Sequence, residues 1–439
     1  MSGVLIAVTG FAAMLVLIVL RMPVGLAMLV VGAAGYAALA GMAPLLAFLK
    51  TTPYYTFANY TLSVIPLFVL MGALAERGGL ARALFEAAAA LIGHRRGGLA
   101  SAVITACAGF GAVCGSSVAT TATFARAALP ELLRYRCDPG FSAATVAAGG
   151  TLGILIPPSV VIVVYAISTE QNIAKLFMAA LVPGLLAALL YMVAVAVRVR
   201  RNPALAPPVD RVGAAGRLTA LLRVWPVALI ALLVVGGIYG GVFTPTEAAA
   251  VGALATLLLG LAQGSLRWPE IRQAMIQTAE TTAMIFLILL GAEVFNGFLA
   301  LSRLPDTLAE AVIAAGLPAY GVLAALLLVY ILLGALMDEL AMILLTLPVF
   351  FPVMMSLDFG LSPEETAIWF GVLVLTVVGI GLTAPPIGLN VFVVSAIARE
   401  VPIAAIYRRV LPFLVADLVR LTLLVAFPVL SLGLVRLLG

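Results

Sequence analysis

Long apolar stretches separated by short polar ones run the length of the chain, near 4–20, 23–42, 63–75, 98–131, 141–168, 175–198, 225–242, 246–266, 278–301, 318–356, 366–397 and 404–435. Most approach the roughly 20 residues that a helix needs to cross a bilayer. Two, 98–131 and 318–356, are too long for one crossing and are polar in the middle, at Cys114-Gly115-Ser116-Ser117 and Met337-Asp338-Glu339. About 35 apolar residues with a polar centre fit two half-depth helices meeting inside the membrane, a re-entrant hairpin. A tilted, kinked helix fits the same pattern. Two other stretches are interrupted by double prolines, in Gly153-Ile154-Leu155-Ile156-Pro157-Pro158 and Gly381-Leu382-Thr383-Ala384-Pro385-Pro386. Each proline lacks an N–H, and its ring clashes with the carbonyl four residues back. The pattern therefore predicts two broken helices that release the carbonyls of Gly153 and Ile154, and of Gly381 and Leu382. In lipid such carbonyls are tolerated only where they face protein or a polar cavity. Matching broken helices in two halves of a chain point to a transporter's binding site.

Composition narrows the class. The chain is 64% hydrophobic and 10% charged, where soluble domains have about 25% charged residues. Its mean hydropathy is +1.22. These values predict an all-α integral membrane protein. No soluble domain fits between the apolar stretches, and no GxxxxGK[ST] loop occurs, so a partner or an ion gradient supplies the energy for any transport. Cys107, Cys114 and Cys137 lack metal-ligand spacing with histidine, and the only histidine, His94, lies beside Arg95 and Arg96. Structural zinc and Cys–His catalysis are thereby excluded, and no nucleophile–base–orienter set is visible, so the chain does not read as an enzyme. The N-terminus lacks the features of a removable signal, which makes the first apolar stretch the first span.

The net charge of +5 concerns topology rather than nucleic acid. With both long stretches taken as hairpins, most arginines fall on one face, from Arg21, Arg77 and Arg82 through Arg198, Arg200 and Arg201 to Arg399, Arg408 and Arg409. Lys50, Lys175, Arg303 and Arg436 fall on the other, while Arg126 and Arg420 lie within apolar stretches. The arginine-rich face is then cytoplasmic, and both termini are periplasmic. Each half has three spans, a hairpin, a broken span and a final span. Five crossings is an odd number, so the second half is inserted upside down, as an inverted-topology repeat. The expected units are 1–198, with hairpin 98–131 and broken helix 141–168; a cytoplasmic linker, 199–224, with an interfacial helix; and 225–439, with hairpin 318–356 and broken helix 366–397.

The hairpin tips, entering from opposite faces, are expected to meet near the midplane. Ser116, Ser117, Thr120, Thr121 and Thr123 at the first tip can ligate a hard cation or a substrate, or equally cap the helix that follows. Asp338 and Glu339 occupy the second. An acid at this depth costs roughly 2.5–3.5 kcal/mol, and it calls for a cation, a proton or a capping role. The released carbonyls suit Na⁺ or H₃O⁺. Pro158 and Pro386 are expected to begin new half-helices, where proline is favoured, with N-termini directed at an anion. Thr120, Pro157, Pro386 and Asn390 are the candidate substrate contacts.

Four stretches carry a family resemblance: Gly115-Ser116-Ser117-Val118-Ala119-Thr120, 149–159 around the first Pro-Pro, Phe243-Thr244-Pro245-Thr246-Glu247-Ala248-Ala249, and Pro385-Pro386-Ile387-Gly388-Leu389-Asn390. Over nearly its whole length the chain resembles the large membrane subunit of the tripartite ATP-independent periplasmic (TRAP) transporters. The resemblance implies an elevator-type secondary transporter of the bacterial inner membrane, coupled to Na⁺ and needing no other cofactor. It implies a small organic anion, usually a carboxylate, delivered by a periplasmic substrate-binding protein. It also implies a separate small four-helix membrane subunit, since the extra spans of fused versions are missing. By the same resemblance one Na⁺ site uses Ser116 and Ser117 with the backbone of Gly153, Ile156 and Pro158. The second uses Gly334 near the Asp338 tip, with Gly381, Thr383 and Ala384. One departure touches this second site: the family often has Thr immediately before the second Pro-Pro, where this chain has Ala384. A stand-alone cation-coupled dicarboxylate or anion symporter or antiporter is the alternative, followed by an ion channel.

Overall fold

An apolar segment in lipid becomes a helix because only a helix satisfies every backbone N–H and C=O within the segment itself. The computed structural model, which describes residues 3–438, is helical, with no strand among the described residues. Five helical segments are long and apolar enough to cross a membrane, or up to eight when each sharply bent pair counts as one. The longest are Ile173–Arg201 and Trp268–Ser302. Local chemistry sets several starts. Asn172 accepts from the N–H groups of Ala174 and Lys175, while Thr244 with Glu247 and Ser362 with Glu365 form reciprocal caps at Pro245–Ala262 and Pro363–Gly381. These side chains satisfy donors that a helix N-terminus leaves open.

Both long stretches fold back on themselves. Helix Gly98–Cys114 turns at Gly115 (φ +66°) into Ser117–Ala127. The rings of Phe110 and Phe124, one on each arm, lie 5.7 Å apart. In a continuous helix those positions would be about 21 Å apart. Likewise Ala319–Gly334 returns as Glu339–Met355, with the Tyr330 and Phe350 rings 5.2 Å apart. The kinked-helix alternative is therefore excluded for both.

The two broken helices run through the centre. The first comprises Pro139–Gly150, Leu152–Leu155 and Val160–Ser168, with a 43° bend at the break. Every residue from Gly140 to Ala166 is buried. The second comprises Pro363–Gly381, buried without interruption from Thr366 to Gly381, and Leu389–Ile397. The Pro157–Pro158 and Pro385–Pro386 peptide bonds are cis. Neither Pro158 nor Pro386 begins the following helix, contrary to expectation. Ser159 stays extended (φ −132°, ψ 130°) before Val160, and Gly388 takes a left-handed conformation (φ 56°, ψ 81°) before Leu389. A Cβ at Gly388 would also lie 2.9 Å from the Ala384 carbonyl oxygen, so both space and φ call for glycine there.

Three further differences have local causes. The stretch 404–435 divides into Ile403–Ala426 and Val429–Leu438, bent by 56°, because Pro428 has no N–H for the ladder and Phe427 before it is held extended. Helices Met42–Phe57 and Leu304–Ala314 carry several polar residues, and Leu80–Ile92 is short and broken by Arg82 and Glu86, so none registers as an apolar stretch. Helix Ile173–Arg201 runs past position 198 into the segment taken as linker. Beyond it the chain docks across the ends of the first hairpin and first broken helix, with Gly97 N–H donating to Ala206 C=O (3.0 Å), Asp138 N–H to Leu205 C=O (2.9 Å) and Val209 N–H to Gly93 C=O (3.2 Å). Helix Ala214–Leu222, which follows, buries none of its residues.

Candidate functional site

The first tip and the first break meet at distances that only glycine permits. A Cβ on Gly153 would lie 2.6 Å from both Ser116 C=O and Thr120 Oγ1, and one on Gly115 would lie 2.7 Å from Pro158 C=O. A Cβ on Gly111 would come 3.5 Å from the Ile156 side chain, while Val160 N–H donates to Gly115 C=O at 3.3 Å. Ser116, Ser117, Gly153, Ile156 and Pro158 are thus assembled in one place. Pro157 and Pro158 remove the N–H groups that Gly153 and Ile154 C=O would otherwise receive, and no other group among the described residues donates to either carbonyl. Two uncharged oxygens are left open in a buried site, the donor chemistry that a hard monovalent cation takes. The tip hydroxyls are partly spoken for. Ser116 Oγ accepts from Ala119 N–H (3.4 Å), and Thr120 Oγ1 donates to Ser116 C=O (2.7 Å).

The second tip and break approach equally closely but settle their backbone differently. A Cβ on Gly381 would lie 2.5 Å from Gly334 C and 2.9 Å from Gly334 O. The Gly334 carbonyl, at the end of its arm, receives no hydrogen bond among the described residues. The two carbonyls expected to be released here are recaptured: Ala384 N–H donates to Gly381 C=O (3.2 Å) and Asn390 N–H to Leu382 C=O (3.0 Å). The reason is the loop. Six residues separate Leu382 from Leu389, enough for the chain to return its own N–H groups, whereas only four separate Leu155 from Val160. Asp338 Oδ1 accepts from both Leu340 and Ala341 N–H at 3.0 Å, so its side chain caps the returning helix. Thr383 Oγ1 donates back to Ile380 C=O (3.2 Å). Ala384 is buried, Pro385 and Pro386 are exposed, and Tyr407 OH donates to Pro386 and Ile387 C=O.

Between these clusters the tips touch. Asn390 is fully buried, and its amide nitrogen donates to Ser117 Oγ (2.8 Å) and Ala147 C=O (3.2 Å). Glu339, 8% exposed, presents its carboxylate to the Ser117 backbone N–H. Thr120 belongs to the first cluster, Asn390 to the junction, and Pro386 lies on the exposed loop away from both.

Reading the sequence missed an ionic network beside the breaks. Arg420 and Asp417 are fully buried, with Arg420 Nη2 2.9 Å from Asp417 Oδ1. Tyr191 OH donates to Asp417 Oδ2 (2.7 Å) and lies 3.0 Å from Thr151 Oγ1. Thr151 is two residues before Gly153, and a Cβ at Gly379, two before Gly381, would be 3.9 Å from Arg420 Nη2. The chain Thr151–Tyr191–Asp417–Arg420 therefore runs beside equivalent positions of the two breaks, which themselves meet, a Cβ at Gly379 lying 3.7 Å from Thr151 Cβ. Its signal was present: Asp417 and Arg420 share a helix face at i,i+3 in an apolar stretch. Arg126, the other arginine in an apolar stretch, pairs with Glu76. A polar cavity of about 580 Å³ separates helices Met42–Phe57 and Trp268–Ser302 from the second hairpin and the end of the first broken helix, with Asn59, Glu170, Glu293 and Asn296 in its wall.

Residues 11–430 match the family model described as "Tripartite ATP-independent periplasmic transporter, DctM component". The chain is 39% identical over 389 residues to a C4-dicarboxylate TRAP transporter large permease protein of Pseudomonas aeruginosa, covering 88% of each chain. It is 30% identical over 431 residues to an ectoine/5-hydroxyectoine TRAP transporter large permease protein of Ruegeria pomeroyi, covering 97% of this chain and 98% of that one. In fold it is similar to the YdaH transporter of Alcanivorax borkumensis, with TM-score 0.63 and 19% identity over 93% of this chain and 98% of the other.

Proposed function

The chain belongs to the DctM component family of the tripartite ATP-independent periplasmic transporters, and from that premise we propose that it is the large permease subunit of a Na⁺-coupled importer of a small organic anion. Membership makes it a multi-pass subunit of a secondary transporter that works with a periplasmic binding protein and a small membrane subunit. Na⁺ coupling, the two ion sites and vertical movement of a domain holding both hairpins and both breaks are the parts we add. The carrying observation is the pair of unpaired, buried carbonyls at Gly153 and Ile154 beside the Ser116-Ser117 tip. Uncharged oxygens that nothing among the described residues satisfies would be costly there unless a cation completes them. We assign the first Na⁺ to this cluster. We assign the second to the Gly334 carbonyl beside Gly381, with Asp338 supporting the tip as a cap. The inverted repeat, the arginine-rich cytoplasmic face and periplasmic termini complete this reading. The named relatives move C4-dicarboxylates and ectoines, and by analogy we place the substrate among small carboxylates.

The test is uptake into proteoliposomes containing the permease and its small membrane subunit, with the binding protein outside and radiolabelled succinate among a panel of carboxylates. Uptake should require both the binding protein and an inward Na⁺ gradient. Uptake without the binding protein would make this a stand-alone symporter. Uptake unchanged when K⁺ replaces Na⁺ would remove the coupling ion, and non-saturating flux down the gradient would indicate a channel.

A further inference from the structure

Glu339 is a buried acid with no counter-charge. It begins the returning arm of the second hairpin and is 8% exposed. Its Oε2 has no partner among the described residues, and it takes part in none of their ion pairs. The helix N-terminus and the Ser117 N–H favour a negative charge here, but a terminal dipole offsets only part of the cost of burying an ionised carboxylate. The neighbouring acid does not share the task, because Asp338 is occupied as the cap.

A second orphan oxygen belongs to the same cluster. The Asn390 amide is oriented unambiguously: Ala147 C=O can only accept, so the nitrogen must face it, and the nitrogen also reaches Ser117 Oγ. Its Oδ1 therefore points away and is left without a donor in a residue that is fully buried. Ser117 joins the two groups, through its hydroxyl to Asn390 and its N–H to Glu339. Two unpartnered oxygens, one of them on a carboxyl group, are a cation's ligands rather than an anion's.

Charge elsewhere agrees. The charged residues lining the 580 Å³ cavity are Glu170 and Glu293, and the buried arginine nearest the breaks, Arg420, is already matched by Asp417. Among the described residues no positive group is left to balance Glu339. We propose that Glu339 Oε2 and Asn390 Oδ1 form a monovalent-cation site at the junction of the hairpin tips, filled either by a Na⁺ beyond the two assigned above or by the ammonium group of a zwitterionic substrate. This inference rests on the cation-coupled transporter reading.

The test uses the permease purified with its small membrane subunit. Thermal melting is followed against NaCl and KCl, and at saturating NaCl against glutamate and glutarate, which differ by one ammonium group. Bound ²²Na⁺ is counted in parallel. If Na⁺ fills the site, Glu339→Gln binds one Na⁺ fewer than wild type and its Na⁺ midpoint rises about tenfold. If a substrate ammonium fills it, the Na⁺ count is unchanged, and wild type is stabilised by glutamate over glutarate while Glu339→Gln is not. Glu339→Asp, which keeps the charge on a shorter arm, should retain the wild-type response with weaker affinity. A Glu339→Gln protein with wild-type Na⁺ count, midpoint and glutamate preference overturns the proposal, as does Glu339→Asp behaving like Glu339→Gln. Failure of wild type to prefer Na⁺ over K⁺ sinks the coupling reading and this site with it. Loss of Na⁺ response in Ser116→Ala/Ser117→Ala, with Glu339→Gln keeping both its Na⁺ response and its glutamate preference, leaves the coupling reading standing and removes only this site.

Discussion

The two double-proline breaks begin from the same motif and end with opposite accounting. At the first, every residue is buried, the connection is short, and the carbonyls of Gly153 and Ile154 stay open. At the second, the loop reaches the surface at Pro385 and Pro386, and its carbonyls are taken back by Ala384 and Asn390 N–H. The open oxygen there belongs to Gly334, on the hairpin instead of the break. Proline decides that a carbonyl leaves the helical ladder. The length and burial of the following loop decide where that carbonyl goes.

The largest effect should come from the buried ion pair beside the breaks. Arg420→Leu removes one partner of a buried pair and should cost about 3–5 kcal/mol, seen as a lower melting temperature of the detergent-solubilised protein. Arg420→Met with Asp417→Leu should recover most of that stability, since a well-packed apolar replacement is often neutral. If the double variant is stable but inactive, the charge acts on the breaks and not only on folding.

The breaks themselves should separate next. Replacing Pro157 and Pro158 by Ala restores N–H donors to the open carbonyls and should lower uptake about a hundredfold while leaving insertion intact. The same change at Pro385 and Pro386 should cost only about tenfold, because those carbonyls are already bonded. Equal losses in the proteoliposome assay would break the comparison.

The tips give a smaller contrast. Ser116→Ala with Ser117→Ala should raise the Na⁺ midpoint for uptake about tenfold, and an unchanged midpoint would remove the first site. Asp338→Ala should instead lower stability by about 0.5–2 kcal/mol, as loss of a helix cap does, with a lesser effect on Na⁺. The smallest effect is expected from Tyr407→Phe, which frees the exposed second loop at about 0.5–1.5 kcal/mol. Hydrogen exchange should rise around Ile387–Asn390 and stay unchanged around Ser159–Val161.

Much of the fold was legible because lipid allows so few solutions. The polar centres at Ser116-Ser117 and Asp338-Glu339 marked the hairpins, although the contacts of Phe110 with Phe124 and Tyr330 with Phe350 were needed to exclude kinked helices. The second break was over-read. Nothing in a linear motif tells whether Leu382 C=O will find Asn390 N–H, since that depends on Gly388 turning the chain back with a positive φ. The ionic network was under-read, because Arg420 was visible in an apolar stretch, but its partner Asp417 lies on the same helix and Asp417 is held in turn by Tyr191 on a distant one.

By itself the sequence determined the all-helical membrane class, the positions of the hairpin tips and breaks, and the family. Each of these follows from local rules: apolar length, the missing proline N–H and short runs of specific residues. Only the tertiary structure decided which carbonyls remain open, which acids are caps and which are unpaired, and how Arg420 is balanced. Those outcomes depend on donors brought from elsewhere in the chain, and a buried polar group is defined by the partner it finds.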